Sequence, residues 1–177
     1  MIFHIDEAGL WVPSSSMQLF LYLLTFTATC LMPLLIAFLL LKTKQIDSLE
    51  MSTKEERKIP YLGAAAFYFS ESYLLIKLDV PALVQALLLG ATLLVVCVLI
   101  INLFWKISSH MVGIGGLCGM MIAVSSRLQI NMPFLLIALF LVSGLVAFSR
   151  LKLSAHNPAQ VYVGFLLGVG VQLVLFL

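Results

Sequence analysis

Six apolar stretches divide the chain, each close to the roughly 20 residues a helix needs to cross the hydrocarbon layer of a bilayer. They run over about Met17–Leu41, Pro60–Leu78, Pro81–Trp105, Ser109–Ser126, Met132–Phe148 and Pro158–Leu177. The only long polar interval is Lys42–Lys58, and the remaining connections are short. This pattern predicts an all-α protein, an integral membrane six-helix bundle, with residues 1–177 forming a single transmembrane domain. No linker, internal repeat or low-complexity tract interrupts it. The segment ahead of the first stretch is acidic, with Asp6 and Glu7, so it is not expected to act as a cleavable signal peptide, whose leader is basic.

Composition sharpens the choice of solvent. With 62% apolar and 10% charged residues and a mean hydropathy of +1.13, the chain has too few polar side chains to cover a water-soluble globule of its size. The formal net charge of +2 points neither to nucleic acid nor to an acidic partner. Cys30, Cys97 and Cys118 each sit inside an apolar run without metal-ligand spacing, which suits inert packing thiols.

Counting crossings brings the Lys42–Lys58 loop, the Trp105–Ser109 connection and the Ser149–Asn157 connection to one face, because two stretches separate each from the next. That face carries Lys42, Lys44, Lys54, Arg57, Lys58, Lys106, Arg150 and Lys152, against Lys77 and Arg127 on the other. By the positive-inside rule it is the cytoplasmic face, here of a multi-pass protein expected in a bacterial inner membrane, with both termini outside. A site that binds phosphate needs cations for its own chemistry and would bias the same count.

The residues that can do chemistry lie in two of these connections. Ser108-Ser109-His110 opens the fourth stretch, where a serine can cap the helix and free amides offer an anion site. An ordinary serine cap beside an interfacial histidine explains the same residues. Arg150 and His156 precede the sixth stretch, where Asn157 and Pro158 supply an N-cap and a first-turn proline. Gln160 then falls at the third helical position, so a capping box with Asn157 accounts for it structurally. An arginine at a helix end also commonly snorkels to the interface. Taken together, an arginine and two histidines at the mouth of a bundle suit phosphoryl chemistry, since guanidinium fixes phosphate oxygens and imidazole serves as nucleophile or proton donor. His110 and His156 as metal ligands would need a third ligand, and none has plausible spacing.

Ser149-Arg150, His156 and the following Val161-Tyr162-Val163-Gly164 resemble the third signature of the type 2 phosphatidic acid phosphatase and haloperoxidase superfamily. Ser108-Ser109-His110 is similar to the family's second signature, with Ile107 and Ser109 in place of a proline and a glycine. The resemblance implies that His156 attacks phosphorus and becomes a phosphohistidine and that His110 protonates the leaving oxygen. It implies further that Arg150, Ser108, Ser109, Arg57 and Lys58 hold the phosphoryl oxygens, with no cofactor and no metal. The implied partner is a lipid or polyprenyl phosphate presented by the bilayer. Two departures stand out. Arg57-Lys58-Ile59-Pro60 only approximates the end of the first signature, with Glu50 where its lysine belongs, and Gln160 occupies the position of the acid that orients the nucleophilic histidine. An amide can orient an imidazole but hardly stabilise its positive charge. The resemblance therefore leaves three readings: a lipid phosphate phosphatase, an impaired relative that binds or moves such lipids, and a membrane scaffold.

Glu71 is the only acid well inside a stretch, and intramembrane acids are candidates for function. It lies eleven residues from Pro60, about 16 Å along a helix, too deep to serve His156. A structural hydrogen bond to neighbouring serines or Tyr68 is the alternative. Gly113, Gly115, Gly116 and Gly119, with Gly164 and Gly168, follow the spacing of close helix contacts rather than of a phosphate loop.

Overall fold

A computed structural model describes residues 3–5 and 11–176, with side chains from Ser14 to Phe176. A short antiparallel ribbon, β1 (Phe3–Ile5) with β2 (Trp11–Pro13), leads into a helical body. The first helical rod is composite. Helix α1 (Ser15–Phe26) starts at Ser14, whose hydroxyl accepts the Met17 amide at 3.4 Å. A π-helical turn, Thr27–Leu31, joins it to α2 (Met32–Lys42). Pro33 explains the irregularity, since it has no N–H to give to the Thr29 carbonyl one turn back. The Tyr68 hydroxyl reaches that carbonyl instead, at 3.5 Å.

The body continues through α3 (Lys58–Lys77), α4 (Ala82–Phe104), α5 (Ser109–Leu128), α6 (Pro133–Lys152) and α7 (Pro158–Phe176). The Ser15–Lys42 rod, α4, α5, α6 and α7 are long and apolar enough to cross a membrane. Large side chains on their outer surfaces agree with a hydrocarbon solvent: Phe134 is 87% exposed and Val174 85%, a presentation suited to lipid rather than water. The six apolar spans expected from sequence thus become five by length and composition. Helix α3 has the length, at 20 residues, but carries Lys58, Glu71 and Lys77. It lies among the other helices, packed on α2 and α4, with Glu71 and Ser72 buried and Leu62, Phe69 and Tyr73 turned outward.

The tightest contact joins α5 to α7. A methyl group added at Gly115 would lie 2.3 Å from the Phe165 carbonyl oxygen, and one at Gly168 would lie 2.3 Å from that of Val112. Gly119 and Gly164 meet backbone in the same way, and Gly116 meets the tip of Leu94. Backbones this close exclude any side chain, as the small-residue spacing predicts. Gly113 is the exception and a correction to that reading: nothing lies within 4 Å of where its methyl group would stand, because it faces a cavity.

Connections at the other end are compact. Asp79, at φ 51°, turns the chain between α3 and α4, and Gln129, at φ 54°, ends α5. Helix α6 is peripheral, burying only Ser143, whose hydroxyl lies 3.5 Å from the Cys118 sulfur on α5.

Candidate functional site

The start of α3, the α4–α5 connection and the α6–α7 connection meet at one end of the bundle. Two long-range bonds stitch them. The Ser108 amide donates to the Gln160 carbonyl at 3.4 Å, and Lys106 Nζ donates to the Ala155 carbonyl at 3.2 Å. The third element is pinned by Arg57, which is 7% exposed. Its Nε donates to the Met51 carbonyl at 2.8 Å, and its terminal nitrogens donate to the carbonyls of Ile107 at 3.3 Å and Glu50 at 3.4 Å. The loop behind it is organised by Glu56. That carboxylate accepts the Asp47 amide at 2.8 Å and the amide and hydroxyl of Thr53 at 3.1 and 3.0 Å. These bonds, led by the one from Asp47, hold its pKa below the ordinary carboxylate value.

His156 is buried in this setting. Its Nδ1 lies 3.0 Å from Gln160 Oε1, which also accepts the Asn157 amide at 3.2 Å, while Asn157 Oδ1 accepts the Gln160 amide at 2.9 Å. The expected capping box is therefore present, and it does a second thing. Because Oε1 must face the Asn157 N–H, the imidazole nitrogen beside it has to be the protonated one. The neutral ring then carries its lone pair on Nε2, the tautomer a nucleophile needs. Burial pushes the His156 pKa below its ordinary value near 6.5, opposed by the bond to Gln160 and reinforced by the charges of Arg57, Lys106 and His110. Burial also lowers Lys106, with repulsion from Arg57 adding to it and Glu56 opposing.

His110 lies in the first turn of α5, exposed by surface area and within electrostatic reach of Arg150 and Arg57. The charges of Arg57, Lys106 and His110 thus act on His156, and those of Arg150 and Arg57 on His110. The balance of donors and acceptors is uneven. Arg57 and Lys106 are bonded to backbone carbonyls, while Arg150 Nε and Ser108 Oγ are buried without a hydrogen-bond partner among the described residues. Buried donors of this kind are uncommon and call for an acceptor.

The serine cap and the neighbours expected for Glu71 are corrected. Ser108 stands at the N-cap of α5 but makes no side-chain capping bond. It is fully buried, entering α5 pressed against Gly164, whose added methyl would lie 2.9 Å from the Ser108 carbonyl oxygen. Ser109, expected among the phosphate-binding residues, commits its hydroxyl to Tyr61. Lys58 is exposed at the start of α3. Glu71 is buried in the bundle with Oε1 accepting the Thr25 hydroxyl at 2.6 Å and Oε2 unpartnered. Its predicted neighbours are engaged elsewhere, Ser70 with the Ala66 carbonyl, Ser72 with Thr92 and Tyr68 with the Thr29 carbonyl. Lys106 is the functional candidate that sequence reasoning counted only as interfacial charge. Its place in the α4–α5 connection, four residues before His110, was the available signal.

No protein-family model, curated protein or solved structure matches this chain. Its function is read from the site itself.

Proposed function

We propose that the cationic end of the bundle binds the phosphate of a lipid or polyprenyl phosphate and cleaves its ester slowly through a phosphohistidine. The observation that carries this reading is the pair of unpartnered buried donors in the connections that also hold a histidine whose tautomer is set by its own capping box. Arg150 Nε and the Ser108 hydroxyl would close on the phosphoryl oxygens, and the charges of Arg57 and Lys106 would stabilise the bound anion. His156 Nε2 would attack phosphorus as the P–O bond to the alcohol breaks, and His110 would give its proton to the departing oxygen. Water would then attack the phosphohistidine, returning a proton to His110 and releasing inorganic phosphate with His156 restored. The division of roles is that of the type 2 phosphatidic acid phosphatases, which the two polar motifs resemble. In this reading α3 crosses the membrane with the other five helical rods, and the charge bias of the motif face makes it cytoplasmic in a bacterial inner membrane.

Gln160 supplies the reason for slowness. Its amide orients the ring but leaves the positive charge that develops on His156 without a carboxylate. That same residue favours a second reading, an impaired relative that binds or moves lipid phosphates without hydrolysing them. The deciding experiment assays phosphate release by purified protein against phosphatidic acid, phosphatidylglycerol phosphate and polyprenyl phosphates, with acid-labile phosphate trapped on the protein by rapid quench. Release that depends on His156, with label on that residue, supports the enzyme. Saturable binding without release supports the binder, and neither binding nor release overturns both.

A further inference from the structure

A cavity of about 400 Å³ runs through the helical body directly beneath the cationic end. Its walls come from the Ser15–Lys42 rod, α3, α4, α5 and α7. Tyr61 and Ser109 form its rim toward the cluster. Tyr61 is one turn from Arg57 on α3, its amide bonded to the Arg57 carbonyl at 3.0 Å, and Ser109 is next to His110. From Ser109 the lining descends α5 to Met120, eleven residues or about 16 Å, roughly half the depth of a bilayer's hydrocarbon core.

The wall is chemically apolar even where its residues are not. Tyr61 and Ser109 spend their hydroxyls on each other. Tyr68 donates to the Thr29 carbonyl, and the Thr29 hydroxyl donates to the Thr25 carbonyl at 2.6 Å. Gln172 borders the deep end, with its Oε1 beside Gly90 and without a hydrogen-bond partner among the described residues. Apart from that amide, the cavity is faced mainly by hydrocarbon from leucines, valines, alanines and the bare backbone of Gly113 and Gly116. An apolar channel that ends at a cluster of cations suits an amphiphile with an anionic head. With a methylene taken as about the size of a water molecule, roughly 30 Å³, the cavity's volume corresponds to on the order of thirteen methylenes, about one chain over this depth.

We infer that this cavity is the tail site of a single-chain phosphate, an alkyl or prenyl monophosphate, and that it selects against diacyl phosphatidic acid. The inference rests on the proposed phosphate site for its head and on the cavity alone for its tail. Gly113 provides the test, because it lines the cavity and has open space in front of it. Gly113→Phe should fill the channel without displacing backbone, and Ala91→Phe fills it from α4. Protein in nanodiscs is photolabelled with a sixteen-carbon alkyl phosphate carrying a mid-chain diazirine, and the sites are mapped by mass spectrometry. Binding of inorganic phosphate is followed separately by line broadening of its phosphorus resonance.

The expected result is labelling at Leu117 and Met120, competed at least tenfold better by dodecyl phosphate than by dioleoyl phosphatidic acid. Labelling should fall at least tenfold in a variant that melts like the wild type and still broadens the phosphate line. Labelling confined to the outer surface, equal competition by phosphatidic acid, or labelling unchanged in both folded variants would overturn the tail site. If the cavity is labelled in the Gly113-dependent way while inorganic phosphate binds neither protein, the tail site stands and the phosphate reading of the cluster falls.

Discussion

Two regions of this protein gather polar groups, and they do so in opposite ways. Midway through the bundle, the Thr25–Thr29–Tyr68–Glu71 seam is a repair. Pro33 takes away one backbone donor, Tyr68 supplies another, the Thr29 hydroxyl returns to its own helix, and Thr25 is held by Glu71. Every hydroxyl in the seam has a partner, and one carboxyl oxygen is left over. At the end of the bundle the arithmetic runs the other way. Cations and donors are assembled from three connections, backbone carbonyls answer some of them, and Arg150 Nε and Ser108 Oγ, with the acceptor Asn102 Oδ1, are left without a hydrogen-bond partner among the described residues. Polarity that serves the fold closes on itself, whereas polarity arranged for a ligand leaves donors waiting for the ligand's acceptors.

The sharpest way to break that contrast is to remove the nucleophile. His156→Ala should take phosphate release to background, a loss of about 10³-fold or more, and should abolish acid-labile labelling. Retention of labelling after this change would move the chemistry to another residue. Arg57→Ala should act through the fold as well as the site. It strips three carbonyls of a charged donor, and at about 1.5 kcal/mol or more for each such bond it should cost several kcal/mol. Thermal unfolding in detergent measures that loss. A variant that melts like the wild type would mean that the loop is held by the Glu56 bonds alone.

Much of this was legible in the chain itself. The helical stretches follow hydropathy, because a bilayer demands long apolar runs, and the convergence of Ser108, His110, Arg150 and His156 follows from counting crossings. The capping box of Asn157 and Gln160 could be read from spacing. What escaped were relations between helices. Nothing local distinguishes Gly113, which faces a cavity, from Gly115, which touches backbone. The bond between Ser109 and Tyr61 of α3 has no local signal either. Glu71 is buried and bonded to Thr25, 46 positions away.

Gln160→Glu sharpens the comparison by giving the cluster the acid it lacks. The amide oxygen already reaches Nδ1 at 3.0 Å, so glutamate keeps the reach and adds charge, whereas aspartate falls one methylene short. Phosphate release should rise about tenfold, on the order of 1.4 kcal/mol of barrier, with Gln160→Asp gaining less. The pH profile should move with it. In the wild type, burial holds His156 below its ordinary value near 6.5. The neutral nucleophile is therefore full above that value and is lost as pH falls through the depressed one. The same linkage removes stability over that acid window, because the unfolded chain takes up the proton first. A carboxylate at position 160 favours imidazolium, so the acid limb should shift upward. An unmoved limb together with unchanged turnover would mean that His156 is not the titrating nucleophile.

The smallest effects belong to the seam. Glu71→Gln preserves an oxygen for the Thr25 hydroxyl and removes only the capacity for charge, so release and melting should both stay close to wild type. Glu71→Leu deletes the acceptor, leaving Thr25 to find another within its own helix, and should cost about 1 kcal/mol of stability with turnover per folded molecule unchanged. Side-by-side melting curves and release assays on the two variants check this. If Glu71→Gln instead lowers phosphate release by tenfold or more while melting is unaffected, the carboxyl takes part in function. The division between a self-satisfied seam and a ligand-awaiting cluster would then fail, because one leftover oxygen deep in the bundle would be doing what the unpartnered donors at its end are proposed to do.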